Sequence, residues 1–197
     1  HARKKDVAVL YEYWLLFELL DVVKRVFAIE PAHISDLVKP TRNGLGLQLK
    51  QGRHLPVSGV FDTGSRKLNV EFSFNRSFSG QNDYPQAGSW TTGMRPDFTL
   101  SIWPAGILQT QAETEELIVH IHFDAKYKVE SVAGVFGADE EKLTDESQPE
   151  HNREDLLKMH SYKDAIRRTA GAYVLYPGPG GKAYKRKGFH ELIAGLG

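Results

Sequence analysis

Cysteine is absent from all 197 positions, which excludes disulfides and thiolate-held metals and leans toward a cytoplasmic setting. Net charge is absent too. The 25 basic side chains balance 25 acidic ones, so attraction to a polyanion cannot come from overall charge and needs a local patch, a metal or a partner. No apolar run reaches the roughly 20 uncharged residues of a membrane span, and no stretch reads as a signal peptide. The chain opens on His1 rather than Met, which suggests an excised domain or a tag remnant with an N-terminal part missing. What is plentiful is apolar surface: 41% of residues are hydrophobic and 11% aromatic. That content argues against disorder, and the length suits a single domain over residues 1–197 with a core of its own.

Patterning divides the chain. Asp6 to Ala28 reads as a long helix, apolar on most sides through Val7, Leu10, Trp14, Phe17, Leu20, Val23 and Phe27, and is expected to be substantially buried. Pro40 to Gly46 reads as a turn into a strand near Leu45 to Lys50, and Leu68 to Phe74 alternates as a strand. A Ser-, Gly-, Asn- and Gln-rich loop spans Asn75 to Ser89, followed by a strand from about Met94 to Trp103 that carries Asp97. After a turn at Pro104-Ala105-Gly106, residues from Leu117 alternate again. Leu117, Val119, Ile121, Phe123, Ala125 and Tyr127 share one face, and His120, His122, Asp124, Lys126 and Lys128 share the other. The first face is expected to be buried and the second to line a cleft. Residues 137–150 are rich in acids and read as a mobile loop; a helix over Asn152 to Thr169 and a strand over Ala172 to Tyr176 follow.

The chemistry gathers from several places. Asp97 and Asp124, on strands expected to be neighbours, supply hard oxygen ligands for a divalent cation, and Lys126 beside Asp124 can stabilise developing charge or orient a water. The same trio also reads as a structural ion pair at a sheet edge. Glu12 has Ala8, Val9, Leu15 and Leu16 as its helical neighbours. A carboxylate there is either a third metal ligand or a buried acid satisfied by a backbone group or a Tyr hydroxyl. On the later helix Lys158 and Tyr162 lie one turn apart on one face, suited to a phosphate or to supporting the catalytic strand. His160 reads as a substrate contact or an ordinary surface histidine, while His120 and His122 lack a third ligand for zinc. From His151 to Gly197 nine basic residues face four acidic ones. That imbalance makes Lys185 and Arg186 candidate phosphate contacts, or else part of a solvated basic tail.

Glu12, Pro96-Asp97, Asp124-Ala125-Lys126 and Tyr162 together resemble the PD-(D/E)XK nuclease superfamily. The wording Phe-Asp-Ala-Lys-Tyr-Lys at 123–128 and Met-His-Ser-Tyr-Lys-Asp-Ala at 159–165 is similar to its McrC-like branch, the nuclease subunits of modification-dependent restriction systems. The resemblance covers roughly Tyr11 to Tyr176. It implies an α/β fold, a restriction-endonuclease-like core with a mixed central sheet flanked by helices, in which Asp97, Asp124 and Lys126 are catalytic and Glu12 assists. It also implies a magnesium- or manganese-dependent DNA endonuclease of a defence system, acting on DNA that includes modified DNA, with a nucleotide-driven McrB-like motor as partner and a homodimer as a further assembly. Lys158 stands where related nucleases often carry Gln. The alternative is a catalytically silent module of the same fold that binds DNA or docks a partner.

Overall fold

The computed structural model describes residues 2–30, 38–40, 47–49, 57–127, 147–177, 191 and 193–197. No Pro or Gly interrupts the N-terminal apolar pattern, and Ala2–Phe27 winds into helix α1 with Lys24 and Arg25 in its last turn, where cations favour the helix dipole. Ala28, at φ 54, turns the chain out of the helix. Two short strands, β1 (Val38–Pro40) and β2 (Leu47–Leu49), pair with each other. The main sheet is built from β3 (Val57–Asp62), β4 (Lys67–Phe74), β5 (Phe98–Pro104), β6 (Val119–Ala125) and β7 (Thr169–Leu175), in that spatial order. Neighbours run antiparallel except β6 and β7, which are parallel. A parallel pair needs a long crossover, and it contains helix α3 (Ser147–Ala165). A short helix, α2 (Gln109–Thr114), precedes β6. The result is the mixed sheet flanked by helices that the resemblance implied.

One face of the sheet packs on α1. Tyr11, Leu15, Leu16, Leu20 and Val23 of the helix share a core with Val70, Phe72, Phe74, Phe98 and Leu100, each fully buried large side chain contributing about 1.5–3 kcal/mol. The helix is less buried than its composition implied. Leu10 and Trp14 are 64% and 53% exposed, with Val7 and Phe17 on the same side, because a helix lying on a sheet buries one stripe, whatever its other faces carry.

The second face of the sheet corrects another expectation. His120, His122 and Asp124 are fully buried, while Val119 is exposed and Ile121, Phe123 and Ala125 are only partly buried. The polar face is closed off by Phe78, Met159, Tyr162 and Ile166, so it forms a second interior rather than an open cleft. Register explains why that burial is tolerated. Glu71 pairs with Ser101 and Ser101 with His120, while Ser73 pairs with Thr99 and Thr99 with His122. These rows form hydrogen bonds between Ser101 and His120 Nδ1 (2.9 Å) and between Thr99 and His122 Nδ1 (3.0 Å), which lower the cost of burying the rings, while His120 Nε2 faces the Glu113 carboxylate at 3.3 Å.

Element boundaries differ from expectation as well. Asp97 precedes β5 rather than lying within it, since that strand begins at Phe98. Helix α3 starts at Ser147, so residues 147–150 of the expected acidic loop are helical, and it ends at Ala165, before β7. The rest of that acidic stretch, 137–146, lies outside the described residues.

Candidate functional site

The exposed end of the polar face is where β5, β6, α1 and α3 converge. Phe98 pairs with Phe123, and one further step of that register sets Asp97 opposite Asp124. Asp97 is fastened there: its Oδ2 accepts the backbone N–H of Ala125 at 2.8 Å. Asp124 is fully buried. Lys158 Nζ donates to its Oδ1 at 2.7 Å, and the Tyr162 hydroxyl reaches the same oxygen at 3.4 Å and the Arg95 carbonyl at 3.3 Å. Lys126 Nζ lies 2.9 Å from Asp124 Oδ2. That contact is an ion pair without hydrogen-bond alignment, so Oδ2 is buried with no hydrogen bond of its own.

Electrostatics bring Glu12 into the group. Burial, then the charges of Asp97 and Asp124, push its carboxyl up to about 6, partly offset by Lys126 and Lys158. Asp97 is likewise pushed up to about 6, by burial and then by Asp124, against the pull of the Ala125 N–H and the two lysines. Burial, reinforced by the neighbouring carboxylates, thus outweighs the pull of the two ammonium groups on Glu12 and Asp97. Burial raises the Tyr162 phenol too, with Asp124 adding to it, so the hydroxyl stays protonated and donates. Replacing it is expected to have a small effect. Tyr162→Phe should cost about 1 kcal/mol, roughly 2–4 °C in Tm for a chain of this size, because Lys158 still holds Asp124 Oδ1. Thermal unfolding measures it, and a drop several times larger would make the hydroxyl a main support of the fold.

The site residues expected from sequence separate in space. Asp124, Lys126, Lys158 and Tyr162 are joined by direct contacts, Asp97 is fastened to the backbone of the strand that carries Asp124, and Glu12 is joined through its charge. His160, two residues from both Lys158 and Tyr162, is turned roughly 200° around α3 from Lys158 and is not brought to the cluster. Lys185 and Arg186 lie outside the described residues. His122 is held by Thr99 and Thr169 at 3.0 Å each, which leaves neither ring nitrogen for a metal, and burial lowers the pKa of both His120 and His122. One participant was not expected from sequence. Asp155 lies 4.0 Å from Lys126 Nζ and accepts the Tyr176 hydroxyl at 2.7 Å. Its spacing from Lys158 and Tyr162, on one helical stripe, was the available signal.

Among the described residues no three Asp, Glu or His side chains converge closely enough to enclose a metal ion; two ammonium groups sit on the oxygens of Asp124 instead. The donor set nevertheless suits a hard cation. It offers carboxylate oxygens only, one of them buried without a hydrogen bond, and two carboxyls are pushed up to about 6 by burial and then by neighbouring carboxylates. No helix among the described residues is long and apolar enough to cross a membrane. A protein-family model described as the PD-(D/E)XK nuclease superfamily matches residues 9–180. No curated protein and no solved structure matches the chain.

Proposed function

Because the chain belongs to the PD-(D/E)XK nuclease superfamily, we propose that it is a metal-dependent DNA endonuclease, with Asp97, Asp124 and Glu12 as metal-side carboxylates and Lys126 as the catalytic cation. The observation that carries this reading is the Asp124–Lys126 ion pair at 2.9 Å beside an Asp97 pinned to the backbone of the same strand. A bound magnesium or manganese ion would supply Lewis-acid activation of the phosphate and a more acidic water. The protein's own part is positional. Burial of Asp124 fixes Lys126 where charge builds on a phosphodiester oxygen, and Tyr162 and Asp155 steady the two partners. Lys158, whose side chain is 40% exposed, can swing from Asp124 to a phosphate oxygen. The motifs at 123–128 and 159–165 favour the McrC-like branch, hence a role in restriction or defence beside a nucleotide-driven motor. The basic residues around Lys185 and Arg186 would serve the DNA backbone, since Arg167 and Arg168 are turned inward onto carbonyl groups and Glu113.

Incubating the chain with supercoiled plasmid and magnesium or manganese tests the reading: nicking or linearisation is expected. Intact plasmid with both metals, with and without a co-purified motor, would overturn it in favour of a silent nuclease-fold module. One observation favours that second reading, namely Lys158 on Asp124 at 2.7 Å, a cation already at the carboxylate. Lys158→Gln separates the two. In a nuclease, removing that competing charge should tighten manganese binding severalfold by calorimetry. Failure of both proteins to bind manganese is the outcome of a silent module.

A further inference from the structure

A second cluster lies at the far end of α3. Tyr84 and Trp90 stack with ring centroids 5.5 Å apart and planes 22° from parallel, yet both are exposed, at 53% and 57%. Stacked aromatic pairs usually serve a core, because burying rings is where their large area stabilises. Beneath this pair sit cations. The Arg167 guanidinium lies 4.6 Å from the Trp90 centroid and 6.0 Å from that of Tyr84, and Arg168 lies 5.8 Å from Tyr84. Arg168 is neutralised by Glu113 at 3.0 Å, and the Tyr84 hydroxyl donates to the Glu116 carboxylate.

Arg167 is different. It is only 7% exposed, it donates to the carbonyls of Gln86 (2.9 Å) and Asn82 (3.0 Å), and its Nε has no hydrogen-bond partner. Among the described residues no carboxylate pairs with it. Gly88 lets the loop close beside it, since a Cβ there would lie 2.6 Å from the Ser79 carbonyl oxygen and 3.2 Å from Arg167 Nη1. A buried cation without a paired carboxylate is costly, and here it lies against the Trp90 ring beneath two aromatic side chains that are themselves exposed.

The geometry points to a nucleobase subsite: Tyr84 and Trp90 form a stacking platform for an unpaired base of the DNA substrate, braced from beneath by the Arg167 guanidinium. Every base has a π-face, so such a platform tolerates any sequence. Its place in the fold fits the substrate of the reaction centre. The backbone N–H of Trp90 donates to the Ala165 carbonyl at 2.8 Å, and Ala165 ends the helix whose Lys158 meets Asp124. The platform therefore stands roughly 10 Å along the axis from Lys158, about three base steps. The inference rests on the nuclease reading for its substrate class, but its test does not use cleavage.

Fluorescence anisotropy of a labelled oligothymidylate, in EDTA, is compared with that of an abasic strand of equal length. The parent should bind oligothymidylate about tenfold more tightly than the abasic strand, the scale of losing a stacked base. Trp90→Ala should lose that preference by weakening oligothymidylate alone, and Trp90→Phe should retain most of it, which excludes a folding defect. A paired duplex weakened by the same factor in Trp90→Ala assigns the base to an extruded nucleotide; an unaffected duplex assigns it to a single strand. Equal affinity of the parent for both strands, absence of binding, or an unchanged preference in Trp90→Ala overturns the subsite. A chain that binds through the platform but never cuts plasmid loses the nuclease reading and keeps the subsite.

Discussion

Lys126→Ala is expected to slow plasmid cleavage by about a hundredfold or more while leaving the chain folded, with a lowered melting temperature. The chemical part follows from position. Lys126 Nζ is 2.9 Å from Asp124 Oδ2, at the open end of the polar face, where a phosphodiester oxygen gains charge only as the reaction proceeds. An interaction made mainly in the transition state is lost from the rate rather than from affinity. The structural part follows from the remaining contacts. Asp124 keeps Lys158 at 2.7 Å and Tyr162 at 3.4 Å on Oδ1, and Asp155 keeps Tyr176, so both carboxylates retain a partner while Oδ2 of Asp124 loses its ion pair. Lys126 is 28% exposed but Asp124 is fully buried, so removing the lysine leaves a buried charge less compensated and costs on the order of 3 kcal/mol. Initial cleavage rates and a thermal melt of the same preparations check both halves. A variant that cuts as fast as the parent makes Asp124-Ala125-Lys126 a structural ion pair and removes the central support of the nuclease reading.

Asp97→Asn combined with Asp124→Asn is expected to abolish manganese binding measured by calorimetry, since it removes both charged donors that flank the proposed cation position. The parent's own affinity should depend on pH in a characteristic range. Asp97 and Glu12 are each pushed up to about 6 by burial and neighbouring carboxylates, and a ligand must lose its proton to bind. Manganese binding should therefore weaken as pH falls through about 6, whereas ordinary carboxylates would hold it to about 4. Stability of the metal-free protein moves the opposite way. Raised carboxyl pKa values mean that the folded state takes up protons more readily than the unfolded one. The stability these groups contribute is thus fully present below about 4 and lost as pH rises through about 6. Asp97→Asn should flatten that fall in melting temperature between about pH 4 and about pH 7. Undiminished manganese binding by the double variant, or binding that stays constant down to about pH 4, would remove these carboxylates from the metal site.

Several features are legible in the sequence because they depend on neighbours along the chain. The alternation of Leu68 to Phe74 forms β4, and the uninterrupted N-terminal pattern forms α1. Asp124 and Lys126 share a face because a strand repeats every two residues, and Lys158 and Tyr162 share one because a helix nearly repeats every four. Helix ends and strand starts are less legible. Met94 joins Phe78 in an isolated bridge instead of opening β5, and nothing in the Ser- and Gly-rich loop signals that partner.

Local order along the chain thus sets which residues travel together: the period of each element, the pairing of Asp124 with Lys126, the absence of thiolate chemistry, and the family motifs. Which shared face becomes interior is a matter of packing between elements. On β6 alternation offers two faces, and the polar one is buried because β5 supplies Ser101 and Thr99 in register with His120 and His122, which a single strand cannot reveal. The placement of Lys158 on Asp124, of Asp155 near Lys126, and of Arg167 beneath Trp90 arises in the same way. Each joins residues from separate elements, whose approach is set by how the helices and loops pack on the sheet and not by local periodicity.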